Sequence, residues 1–169
     1  IKIDFTKTFI AWVIGGTYKQ KKISKEHIIQ ICKKISIPVL LLGGDSELDI
    51  GEEIVEKTKK NNIYNLCGSL SIDQSAYVLK HCFLVLTNDT GLMHIASAFK
   101  KRIISFWGCT KPSLGMFPYK SHKNSVQLIS NSSTLPCSKL GDRCRFSSKG
   151  CVNNISIDEI LVEINKQEI

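Results

Sequence analysis

The segment Asn88-Asp89-Thr90-Gly91-Leu92-Met93-His94 joins an apolar run to a helix-forming one, and its residue types suit anion chemistry. A helix that starts there leaves free N–H groups and the positive end of its dipole facing outward. Thr90 adds a hydroxyl and Gly91 leaves the backbone open, so a phosphate can be seated there. Asp89 carries the wrong sign for phosphate and suits a hydroxyl-rich group such as a sugar. The plainer role for Asp89 or Thr90 is to cap the helix. His94, one turn on, either reaches the same ligand or belongs to the core.

A second loop, Gly15-Gly16-Thr17-Tyr18-Lys19-Gln20-Lys21-Lys22, combines an open backbone with lysines able to neutralise a diphosphate. It has no Gly-Lys-Ser/Thr, and no G-x-G-x-x-G stands at any strand end, so neither a Walker loop nor a dinucleotide fingerprint is present. Nor does the chain contain Asp-x-Asp, the carboxylate pair expected of a transferase that relies on a divalent ion. Lysine and a helix N-terminus would then carry the charge of any departing diphosphate.

The seven cysteines fall into two groups. Cys32, Cys67, Cys82 and Cys109 lie in apolar or element-end contexts and are expected as buried, reduced thiols. Cys137, Cys144 and Cys151 recur at seven-residue steps in a polar, glycine-containing stretch. None forms the tight pair usual at zinc, so a disulfide within the loop and a loosely spaced metal site both stay open.

The elements that must position these loops are legible as alternating apolar runs and amphipathic stretches. Phe9–Ile14, Val39–Leu42, Ile63–Leu66, Phe83–Thr87 and Arg102–Phe106 read as strands, with Val126–Ile129 a sixth candidate. Between them Ser24 can cap a helix bearing Ile28, Ile31, Cys32 and Ile35. A charged helix follows with Ile50, Ile54 and Val55 inward, and with Glu53/Lys57 and Glu56/Lys60 paired outside. Ser71 with Gln74 and Ser156 with Glu159 have capping-box spacing, and Gly91–Phe99 completes the helices. Strands that are apolar throughout and separated by helices predict an α/β fold: a doubly wound, Rossmann-like parallel sheet covered on both faces. Ligands of such sheets bind beyond the carboxyl ends of the strands, here at Gly15-Gly16, Gly43-Gly44, Gly68, Asn88–Gly91 and Gly108.

At 169 residues the chain suits one domain, and its 43% apolar and 22% charged residues exclude a disordered tail, collagen or a coiled coil. The longest apolar runs are far below the roughly 18 residues of a membrane-spanning helix, which leaves peripheral attachment open. Net charge +8 suits an anionic partner. Lysines dispersed from Lys19 to Lys166, without an aromatic-interleaved stripe, argue against nucleic acid. The chain opens on Ile1 rather than Met, with no leader-like segment ahead of its first strand, so a piece of a longer protein is expected.

Asn88-Asp89-Thr90-Gly91-Leu92-Met93-His94-Ile95-Ala96, followed by Trp107-Gly108-Cys109-Thr110-Lys111-Pro112, resembles the C-terminal domain of glycosyltransferase family 9, the heptosyltransferases of bacterial lipopolysaccharide core assembly. The lysine loop, Gly43–Glu47 and the late cysteines running into Asn154-Ile155-Ser156 extend the likeness from about residue 9 to the end. The resemblance implies residues 1–169 as the nucleotide-sugar-binding half of a GT-B enzyme whose N-terminal acceptor domain is absent here. It implies inverting transfer of heptose from ADP-heptose to a lipid-linked core saccharide, with no metal and no other cofactor. Carried over by position, Lys21 and Thr17 face the donor phosphates, Glu47 the ribose, Thr90 and Gly91 the phosphates, and Asp89 and His94 the sugar. Lys22 satisfies the same register as Lys21, and Ile23 stands where the family has tryptophan. The general base belongs to the absent domain, so the fragment alone is expected to be inactive. A cytoplasmic place, with peripheral inner-membrane contact, goes with that reading. The alternatives are another GT-B sugar-nucleotide enzyme, such as a UDP-sugar transferase or an epimerase, and a non-catalytic basic anion-binding module.

Overall fold

The computed structural model describes residues 6–166; Ile1, on which the expectation of a longer chain rested, lies outside them. Six strands form one sheet: β1 (Ile10–Val13), β2 (Val39–Leu42), β3 (Ile63–Asn65), β4 (Leu84–Asn88), β5 (Arg102–Trp107) and β6 (Val126–Ile129). Their order is β3-β2-β1-β4-β5-β6, and every adjacent pair is parallel. Five helices connect or follow them: α1 (Lys25–Lys34), α2 (Leu48–Thr58), α3 (Ile72–His81), α4 (Gly91–Ala98) and α5 (Ile157–Asn165).

Alternation along β1 shows why both faces are covered. Ile10 and Trp12 pack with Ile28 and Ile31 of α1, Ile54 of α2 and Ile160 of α5. Ala11 and Val13 pack with Val78 and Leu79 of α3 and Met93 and Ala96 of α4. A strand buried on two sides has no position for a polar residue, which is why its sequence is apolar throughout.

Helix starts follow local chemistry in part. Ser24 accepts from the His27 N–H, and Ser71 and Gln74 close a reciprocal capping box at α3. The box expected at Ser156 does not form: Ser156 is the N-cap of α5 without a side-chain cap bond. Two details of α2 also differ. Its buried side is Gly51, Ile54 and Thr58, which turns Ile50 outward to 36% exposure. Glu53 pairs with Lys57 at 2.5 Å and with Lys25 at 2.5 Å. Lys60 lies beyond the left-handed Lys59 that ends α2, and its ammonium meets the carbonyls of Lys33 and Ile35 at the end of α1 rather than Glu56.

Strand order reverses between β1 and β4, so the loops leaving them diverge. A crevice opens there, at the carboxyl end of the sheet.

Candidate functional site

That crevice is a cleft of about 300 Å³, walled by Gly15 and Gly16 after β1, Gly43, Gly44 and Glu47 after β2, and Thr90 before α4. Four of these six carry no side chain, so backbone lines much of the cleft. Gly91, Leu92 and Ile95 complete the α4 side.

Two lysine–carboxylate pairs flank it. Lys21 Nζ lies 2.6 Å from Asp89 Oδ2, with the side chains 11% and 6% exposed. Lys22 Nζ lies 2.7 Å from Glu47 Oε1. Consecutive lysines therefore point to carboxylates on different strand ends: Lys21 to the loop after β4, Lys22 to the loop after β2. Glu47 also accepts from the Ser46 hydroxyl and from the Gly44 N–H. Burial opposes its charge, but the Lys22 ammonium, the Ser46 hydroxyl and the Gly44 amide outweigh it and hold the carboxyl below its ordinary value.

Asp89 does not cap α4. One of its oxygens serves both Lys21 and the Thr110 hydroxyl, the latter at 3.1 Å. Thr90 is the N-cap of α4, yet its side chain makes no cap bond, and its Oγ1 is buried with no hydrogen-bond partner. Such an orphan hydroxyl beside free helix amides is an open acceptor-seeking position. Thr17 is exposed on the loop after β1. His94 is exposed on the first turn of α4 and is not part of the cleft wall.

The residue that sequence reasoning left without a role is Asn88. Its Nδ2 donates to the carbonyls of Ile14 and Gly15 at 3.3 and 3.1 Å, and its Oδ1 accepts from the Ile23 N–H at 3.0 Å. One buried amide thus fixes both ends of the lysine loop to β4. An Asn immediately before the Asp-Thr-Gly run was the available signal. A second amide, Asn153, accepts from the Ser24 N–H at 2.7 Å and ties the start of α1 to the late loop.

All four thiols expected to be buried and reduced are buried and free, and burial pushes Cys32 and Cys67 up to about 12 and Cys82 up to about 11. Cys109 has company that its sequence context does not reveal. It gathers with Cys137, Cys144 and Cys151, all four sulfurs lying within 4.8 Å of one another. Burial pushes the Cys109 thiol up. Burial also opposes ionisation of Cys144, but the backbone amides of Phe146 and Ser147 and the Cys109 thiol bring it down to about 7.

No described helix is long and apolar enough to cross a membrane. The chain is 28% identical over 106 residues to lipopolysaccharide heptosyltransferase 2 of Escherichia coli, covering 59% of this chain and 30% of that protein. It is 27% identical over 131 residues to lipooligosaccharide heptosyltransferase 2 of Campylobacter jejuni, covering 76% of this chain and 40% of the relative. In structure it resembles the E. coli ADP-heptose lps heptosyltransferase II with a TM-score of 0.73 at 23% identity, over 94% of this chain and 46% of that one. The chain therefore spans less than half the length of these relatives. Residues 2–146 match the model of glycosyltransferase family 9 (heptosyltransferase), and with that match over most of its length the chain belongs to glycosyltransferase family 9.

Proposed function

We propose that this chain is the donor-binding half of an inverting, metal-independent transferase that moves heptose from ADP-heptose to a lipopolysaccharide core precursor. The observation that carries this reading is the cleft at the β1/β4 switch point, lined by the Glu47 carboxylate, the unpartnered Thr90 hydroxyl and the start of α4, with the Lys22–Glu47 and Lys21–Asp89 pairs on the loops that border it. The relatives named above, one of them described by its ADP-heptose donor, support the choice of sugar nucleotide.

In this reading the diphosphate meets the start of α4, where the Thr90 hydroxyl, the free amides after Gly91 and the Lys21 ammonium stabilise it. Glu47, steadied by Lys22, accepts from the ribose hydroxyls. Asp89 and His94 face the heptose, and Thr17 approaches the phosphates from the opposite loop. On transfer, negative charge grows on the leaving ADP, where the α4 dipole and Lys21, drawn from Asp89 by the diphosphate, stabilise it. The acceptor hydroxyl must lose a proton to a base. The resemblance assigns that base to a preceding domain, so residues 1–169 bind donor and transfer nothing alone.

Calorimetric titration with ADP and UDP tests the reading. Lys21→Ala and Thr90→Ala are each expected to weaken ADP binding by about tenfold or more, the loss of one charge-assisted hydrogen bond. Unchanged ADP affinity in both variants, or tighter binding of UDP by the unaltered chain, would count against it.

A further inference from the structure

The late loop buries the wrong residues for an apolar core. From the end of β6 at Ile129 to the short turn that starts at Cys151 it contains neither helix nor strand. Its large apolar side chains face solvent: Leu135 is 67%, Leu140 53% and Phe146 52% exposed. What points inward is cysteine. The small core beneath the loop consists of Cys109, Cys137 and Cys151, with Cys144 half-buried against them. A structureless loop of this length needs some other ordering force, and thiols alone supply little.

The geometry points to a tetrathiolate site, formed by Cys109, Cys137, Cys144 and Cys151, for one tetrahedral thiophilic cation, zinc in the first place. The four sulfurs lie within 4.8 Å of one another, and those of Cys109 and Cys151 are 3.8 Å apart. A tetrahedral ion with zinc–sulfur bonds of about 2.3 Å separates its ligands by about 3.8 Å. A disulfide requires sulfurs about 2 Å apart and would serve only two of the four. All seven cysteines are free. Binding replaces four S–H protons, released to solvent, with four metal–sulfur bonds and leaves a net charge of about −2. Lys139, Arg143, Arg145 and Lys149 lie on the same loop and can offset that charge.

Four protein ligands close the coordination sphere, so the ion is structural and takes no part in the transfer step. Its effect falls on the lysine loop. Gly150, with φ +88°, sits where any Cβ would come within 2.2 Å of the Gln20 carbonyl oxygen. Gly141 packs directly on the Lys21 side chain, and the Cys109 sulfur lies 3.4 Å from the Gln20 carbonyl. The metal would clamp the late loop onto the segment that presents Lys21.

The test is metal analysis of the full-length protein by inductively coupled plasma mass spectrometry, followed by cobalt(II) exchange. About one zinc per chain is expected, with intense thiolate-to-cobalt charge transfer and tetrahedral d–d bands after exchange. Cys137→Ser and Cys151→Ser should each lose most of the metal, while Cys32→Ala, outside the cluster, should retain it. The unaltered protein decides the question even if the serine variants misfold. Absence of stoichiometric metal, with four freely titrating thiols or the mass of a disulfide, would overturn the proposal. Stoichiometric iron in the same four sulfurs would overturn the choice of zinc. Metal content is read without nucleotide, so it stands or falls separately from the donor site.

Discussion

The ammonium of Lys21 and the carboxylate of Asp89 meet at 2.6 Å between the loops that leave β1 and β4, and the same carboxylate oxygen holds the Thr110 hydroxyl. This contact joins three strand ends: Lys21 follows β1, Asp89 follows β4 and Thr110 follows β5. A diphosphate entering the site competes with Asp89 for Lys21. Asp89→Asn is therefore expected to tighten ADP binding several-fold while leaving an enclosed ammonium unpaired, at a cost of about 3 kcal/mol in stability. Calorimetry and urea unfolding on the same variant check both signs. A variant that binds ADP as weakly as Lys21→Ala would show that Asp89 does not compete with the phosphates.

Asn88 has no charge and does not itself line the cleft, yet through Ile14, Gly15 and Ile23 it sets where both lysines start. Asn88→Ala removes the acceptor for the Ile23 N–H and the donor for two carbonyls in a buried setting. The expected loss is about 2–4 kcal/mol, with ADP affinity falling in parallel. Asn88→Asp should be no better, because a carboxylate would face the Ile14 and Gly15 carbonyls. Amide hydrogen exchange at Ile23 separates this from a general loss of packing: its protection should fall more than that of amides within β2.

How much of this was readable in advance depends on how local each cause is. β2 and β6 fall on the residues their apolar runs predict, and the α3 capping box forms between Ser71 and Gln74, because period and cap act within a few residues. The strand-to-helix junction at Asn88–Gly91 is legible for the same reason. What was not legible depends on contacts between distant segments. Helical spacing pairs Lys60 with Glu56, but the left-handed turn at Lys59 carries it to the end of α1. Cys109 stands 28 residues before Cys137, so only the return of the late loop to the end of β5 brings them together. An odd set of three evenly spaced cysteines in a polar loop was the one hint that a fourth ligand should be sought elsewhere.

Glu47 gives the site a pH signature. Its folded-state carboxyl lies below the ordinary value, so its pairing contributes stability above the unfolded value of about 4.3 and loses it as pH falls through the folded value. Stability measured from neutral pH downward should decline more steeply in the unaltered chain than in Glu47→Gln. At neutral pH Glu47→Gln should be the less stable of the two. Parallel curves over the acid range would mean that the Lys22 contact does not bias the carboxyl.

Thr90 separates binding from stability most cleanly, because its hydroxyl is buried with no partner in the protein. A buried hydroxyl without a hydrogen bond has lost its water and gained nothing, at a cost of about 1–3 kcal/mol. Thr90→Val keeps the shape and removes that unmet polarity, so stability should hold or rise by up to about 1 kcal/mol. If the hydroxyl is reserved for a phosphate oxygen, the same substitution should weaken ADP binding by about tenfold, and Thr90→Ser should keep most of it. Urea unfolding and calorimetry on the two variants read the effects independently. A valine variant that is less stable and binds ADP unchanged would place the Thr90 hydroxyl in the fold instead of the site.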